Sequence, residues 1–180
     1  FSLTGGYNFK NPGQPFEFFY KQNNGFHYGD ILISFFESKT AATIPSLLFK
    51  KKCLQLTGYF EETGSFSDID FILKLASHFK AVILYEHLFF RRLHQSNDND
   101  KNWTKGYDHG AAVIHSYRKK LKPKIIRNAL FRLYINFGED HLLHRNRLVA
   151  IRKFLHSWKY KPYSIIPLKK AGKAFLQYWK

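Results

Sequence analysis

The chain contains no methionine and a single cysteine, Cys53. One thiol excludes any intramolecular disulfide and fits a reducing compartment. Long uncharged apolar runs are also missing. The best are ILISFF (31–36), TIPSLLF (43–49) and AVILY (81–85). All fall far short of the ~20 residues a membrane-spanning helix needs. The first ten residues, FSLTGGYNFK, have neither a basic start nor an apolar stretch, which argues against a signal peptide there. Acidic residues are scarce at the C-terminal end. Residues 101–180 carry 19 Lys and Arg against 3 Asp and Glu, whereas residues 1–100 carry ten of each. The whole excess of +16 therefore lies in the second part. Such asymmetry predicts an anionic partner: membrane, nucleic acid or polyanionic substrate. Nucleotide and hydrolase signatures are absent too, with no Walker loop, G-x-G-x-x-G or G-x-S-x-G.

What is present is one ordinary domain's worth of chain, 180 residues at 44% hydrophobic and 18% aromatic, so a packed core is expected. Residues 1–30 are rich in Gly, Asn, Pro and aromatics and read as loops with one short strand. Residues 30–38 (DILISFFES) predict a short helix behind an Asp cap. TIPSLLF reads as a buried strand, and a basic helical turn over 50–57 ends at Gly58. A helix with Ser67 as N-cap follows. Asp68 and Asp70 sit in its first turn, and Ile69, Ile72, Leu75, Ala76 and Phe79 form its apolar stripe. AVILYEHLFFRR (81–92) reads as a strand and a second extended piece, and residues 93–102 as a polar loop.

From about Asp108 four amphipathic stripes predict helices. The first holds Val113, Ile114, Tyr117 and Leu121, and the second runs from Ile125 to Phe137 with Gly138 as its stop. The third holds Leu148, Ile151, Phe154, Leu155 and Trp158, and the last Leu168, Ala171, Phe175 and Trp179. Lys and Arg occupy the opposite faces. The division expected is a catalytic part over 1–102 and a basic helical tail over 103–180. His141 and His144 lie three apart with no further ligand near them in sequence, too few for a zinc site.

The chemistry-bearing order is a carboxylate at a helix start and a cation pair at a strand exit. IPSLLFKKK (44–52) comes first, then Gly58-Tyr59-Phe60-Glu61-Glu62, then Ser67-Asp68-Ile69-Asp70-Phe71, then Arg92-Leu93-His94 followed by Gln95-Ser96. A carboxylate within reach of a hydroxyl can take its proton, and an Arg with a His can neutralise a departing diphosphate.

Over roughly residues 29–100 this order resembles the C-terminal, acceptor-binding half of a family 2 glycosyltransferase. The resemblance implies an α/β class, a partial GT-A fold with a small mixed sheet, followed by an α-helical C-terminal region. It implies an inverting transfer from a nucleotide-sugar donor to a glycan or lipid-linked acceptor in cell-surface polysaccharide biosynthesis. Asp68 would be the catalytic base. Arg92 and His94 would contact the diphosphate, with His94 also a metal ligand for Mg or Mn. Ser46, Ser67 and Asp70 would line the acceptor site. The family's Glu before the base is Ser67 here. Neither D-x-D string qualifies as the donor motif, since Asp68-Ile69-Asp70 opens a helix and Asp98-Asn99-Asp100 lies in a polar loop. The chain accordingly reads as a C-terminal fragment, inactive alone, placed in the cytoplasm at the inner face of the cell membrane. Trp158, Lys159, Tyr160 and Lys161 are the expected membrane-surface anchor. Two readings compete. One is a basic nucleic-acid-binding module, which the charge suggests but no helix-turn-helix, RNP strand or zinc knuckle accompanies. The other is a non-catalytic glycosyltransferase remnant.

Overall fold

The computed structural model describes residues 1–11, 14–21, 24–60, 66–93 and 103–176. It is a mixed α/β structure whose chain divides into two compact units, Phe1–Trp103 and Thr104–Lys180.

The first unit is built on a small curled mixed sheet. Strand β1 (Ser2–Phe9) runs parallel to β5 (Ala81–Arg92), while β2 (Pro15–Phe18) and β4 (Leu47–Leu48) pair with β1 antiparallel. Strand β3 (Phe26–Gly29) closes the other side, antiparallel to the first half of β5. The order is β2-β1-β5-β3. The glycine-rich opening therefore forms three strands rather than the expected loops with one. Gly5 and Gly6 do not break β1; they let β5 come close. A Cβ on Gly5 would lie 2.5 Å from the Tyr85 carbonyl oxygen, and one on Gly6 2.4 Å from that of Phe89. The register shifts at both glycines, and β5 bulges against them. β5 is consequently one bent 12-residue strand, not two extended pieces. Cross-strand rings tie its far half to β1 and β2: Tyr7 lies 4.6 Å from Phe90, and Phe18 5.0 Å from His87.

Helix α1 (Leu32–Phe36) forms as expected behind Asp30, whose carboxylate accepts the Leu32 N–H at 2.9 Å. The segment predicted as a buried strand instead makes a 3-10 turn (Ile44–Ser46) and the two-residue β4, with Leu48 71% exposed. Pro45 in the turn fixes φ and removes a ladder donor, so the apolar run cannot pair along its length. A further 3-10 turn (Lys51–Cys53) leads into α2 (Leu54–Thr57), which stops at Gly58 with φ +70°. Helix α3 (Ser67–His78) follows. Its Phe71 and Leu75 are buried with Cys53, against Phe1, Leu47, Phe49, Leu54 and Phe79.

The second unit is helical. Helix α4 (Trp103–Ser116) starts earlier than Asp108, because Gly106 and Gly110 are buried within it rather than ending a loop. Its Tyr107 ring stacks on Phe137 at 4.3 Å and donates to Asp140 at 2.6 Å. Helix α5 (Pro123–Leu143) runs through Gly138, which does not stop it. The absent side chain makes room for the Phe154 ring, 2.4 Å from where a Cβ would stand. Helices α6 (Arg147–Trp158) and α7 (Ile166–Leu176) complete a core of Phe131, Ile135, Ala150, Phe154, Ala171 and Ala174. Small residues carry the α7 contact. Leu168 and Phe175, expected in its core stripe, are exposed, as are Leu148, Leu155 and Trp158 on α6. Among the described residues no helix is long and apolar enough to cross a membrane.

Candidate functional site

Helix α3 places the carboxylates. Ser67 is its first residue and not its cap. The Phe66 carbonyl accepts the Asp70 N–H at 3.0 Å, and the free first-turn N–H of Ile69 goes to the Asp68 carboxylate at 2.7 Å. Ser67 has no capping bond, because the residue before the helix, Phe66, holds that position. Three residues after Asp68, Phe71 is buried between Phe49 and Phe60 at ring distances of 5.2 and 4.1 Å.

The two acids are thereby made unlike. Asp70 is only 7% exposed and its carboxylate holds the Lys74 ammonium at 2.6 Å. Asp68 is half-buried and, among the described residues, meets no cation. One acid is neutralised within its own helix; the other keeps an oxygen for a ligand. Ser46 is closed. It is 3% exposed, its hydroxyl donating to the Thr43 carbonyl at 2.7 Å and accepting the Thr43 N–H at 3.1 Å.

Arg92 is exposed at the last position of β5, opposite Phe9, with the Leu93 N–H bonded to the Phe9 carbonyl at 2.9 Å. Among the described residues no ion pair joins Asp68 to Arg92. His94, and with it the expected metal ligand, lies outside the described residues.

Comparison with known proteins gives no match: neither a family model, nor a curated protein, nor a solved structure. The site has to be judged on its own geometry. Among the described residues no three His, Cys, Asp or Glu side chains gather as a metal would require. Asp70, the carboxylate nearest Asp68 in sequence, is committed to Lys74. The expected ligand His94 lies outside the described residues, and no step below runs through a metal.

In the helical unit the expected surface anchor is split by environment. Trp158 and Lys159 are exposed at the end of α6, while Tyr160 stacks on Tyr134 at 5.6 Å. Lys161 places its ammonium 5.0 Å over the Phe131 ring. Lys124 and Arg127 of α5 stand beside this segment and were not expected there. They lie some 35 residues upstream in sequence, and only the helical phase of α5, which buries Ile126 and leaves Lys124 and Arg127 out, hints at it. Burial, then the Lys153 and His144 charges, lowers the proton affinity of His141. Partial desolvation of its ring, then Lys159 and Lys153, does the same to His156, whose side chain is otherwise exposed.

Proposed function

We propose that this chain supplies the acceptor-side unit of an inverting, family 2-like glycosyltransferase, acting on a hydroxyl of a glycan or lipid-linked acceptor. The observation that supports it is the difference between two acids on one helical turn. Asp70 is buried on Lys74, while Asp68 is presented at the helix start without a cation among the described residues. A general base needs a carboxylate that a substrate can reach and that no cation holds. The described parts of the motif run, 44–60 and 66–93, also lie in one unit, with α3 packed on residues 47–54 and leading into β5.

In this reading Asp68 takes the proton of the acceptor hydroxyl. The acceptor oxygen then bonds to the anomeric carbon, and the bond from that carbon to the diphosphate oxygen breaks, its electron pair leaving with the nucleoside diphosphate. The diphosphate role of Arg92 draws no support from the sheet register.

The test is sugar transfer from radiolabelled nucleotide sugars by the protein expressed in its native reading frame. Asp68→Asn is expected to lower the rate by about 10²–10⁴-fold, the usual range for a lost general base. Transfer by Asp68→Asn at near the parent rate, or no transfer by the parent to any acceptor, would refute the reading.

A further inference from the structure

Helix α5 opens at Pro123, and its first two turns present Lys124, Arg127 and Asn128 to the segment between α6 and α7. That segment is held by successive backbone turns, with the Tyr160 N–H on the Ser157 carbonyl at 3.0 Å, Lys161 on Trp158 at 3.1 Å and Ser164 on Lys161 at 3.0 Å. Between them lies a cleft of about 570 Å³. Lys124, Arg127, Lys159 and Lys161 contribute to its wall, and no Asp or Glu does. Among the described residues, none of these cations forms an ion pair with a carboxylate. Four like charges around one concavity repel one another, and the positive end of α5 has the same sign. An anion in the cleft relieves that repulsion.

The donors suit phosphate. Arginine offers a planar fork, lysine a compact charge and Asn128 an amide N–H. The volume falls in the range of small-molecule sites, about 300–1,000 Å³, and admits a phosphorylated headgroup rather than a bare ion alone. The rim decides the source. Tyr163, within the cleft wall, is fully exposed, and Trp158, Ile165 and Ile166, which directly precede and follow the lining segment 159–164 in sequence, are exposed as well. A free phosphate has no use for an apolar rim, whereas a lipid phosphate brings acyl chains next to it. Cations flanked by exposed Trp, Tyr and Ile have the composition of a membrane-interface site.

We propose that this cleft binds the phosphate headgroup of an anionic lipid and docks the helical unit on a membrane surface through Trp158, Tyr163 and Ile165. It stands independently of the role of Asp68.

Vesicle co-sedimentation of the full chain tests it. The vesicles would be phosphatidylcholine alone or with about 30 mol % phosphatidic acid, in about 0.15 M salt to limit long-range attraction. The decisive variant is Arg127→Gln/Lys159→Gln, both exposed, so that far-UV circular dichroism is expected to be unchanged. The control is Arg145→Asn/Arg147→Gln. It removes the same charge from the opposite end of α5, about 30 Å away along 21 residues, and Asn suits the positive φ at 145. The expected result is binding to the anionic vesicles only. The cleft variant should bind about tenfold or more weakly, since each cation at the surface contributes appreciably, and the control less than about threefold. Equal losses in the two variants would mean attraction by net charge and overturn the cleft. Titration with inorganic phosphate that saturates the cleft without any vesicle recruitment would assign it to a soluble phosphate and overturn the lipid. So would a duplex oligonucleotide that displaces the chain from vesicles and is itself lost in the cleft variant.

Discussion

Asp68 and Asp70 share one helical turn and one side-chain chemistry, and the surroundings give them different work. Asp70 is buried and ion-paired four residues along the helix, an arrangement that stabilises α3. Removing its charge breaks the Asp70–Lys74 pair. Asp70→Asn should therefore lower stability by about 1 kcal/mol in urea unfolding while leaving transfer activity largely intact. Asp68 accepts only a local N–H, so Asp68→Asn should change stability by about 0.5 kcal/mol or less while removing activity. The reversed pattern, with activity lost at Asp70 and stability at Asp68, would show that the acids had been assigned the wrong way round. In sequence both are first-turn acids, and the spacing that places Lys74 four residues after Asp70 was the legible clue. The environment of Ser46 was not legible, because its burial comes from a 3-10 turn set by Pro45 rather than from the strand that the apolar run suggests.

At the scale of elements, glycine is where sequence and structure part. In β1 and α5 it was read as punctuation, yet in both it is a packing residue whose missing Cβ admits a neighbour from a distant segment. Nothing local reveals this: the partner of Gly5 is some 80 residues away, and the partner of Gly138 is on another helix. Helices α1, α2 and α3 were legible because Asp30 ahead of α1, the first-turn acids of α3 and the stop at Gly58 are local signals, although the expected cap Ser67 proved to be the first residue of its helix. The stripes on α6 and α7 were over-read, because alanines make those contacts and leave larger side chains at the surface. The two glycines yield different expectations. At Gly5 the obstacle is backbone, the Tyr85 and Glu86 carbonyl oxygens at 2.5 and 2.8 Å, which cannot turn away. Gly5→Ala should cost about 3 kcal/mol, the upper end of overpacking. At Gly138 the obstacle is the buried Phe154 ring, and alanine regains about 1 kcal/mol of helix propensity, so Gly138→Ala should cost a net 1–2 kcal/mol or so. Urea titration of both variants checks the order; a neutral or stabilising Gly138→Ala would mean that Phe154 does not occupy that space.

At the scale of the molecule, charge is the controlling feature of the helical unit. Its three acids, Asp108, Glu139 and Asp140, are few against 19 Lys and Arg, and two of them are engaged, Glu139 with Lys170 and Asp140 with Tyr107. Self-repulsion follows, and salt should relieve it. Raising ionic strength from about 0.01 to 0.1 M shortens the screening length from about 30 to 10 Å and should raise the melting temperature. Acid should act in the opposite direction. His141 and His156 bind protons less readily in the folded state than at the ordinary value of 6.5, His141 through burial and then Lys153 and His144 with Asp140 opposing, and His156, which is exposed, through partial desolvation and then Lys159 and Lys153. A group with a lowered folded pKa gives stability that is present above its unfolded pKa and is lost as pH falls through the folded one. Between pH values of about 7.5 and 5.5, the helical signal at 222 nm should therefore melt at progressively lower temperature. Salt should reduce that slope without abolishing it, because screening weakens the lysine contribution and leaves the cost of burial. His141→Gln/His156→Gln should flatten it. A melting temperature that rises on acidification, or one unchanged by the double substitution, would mean that these histidines do not couple protonation to folding.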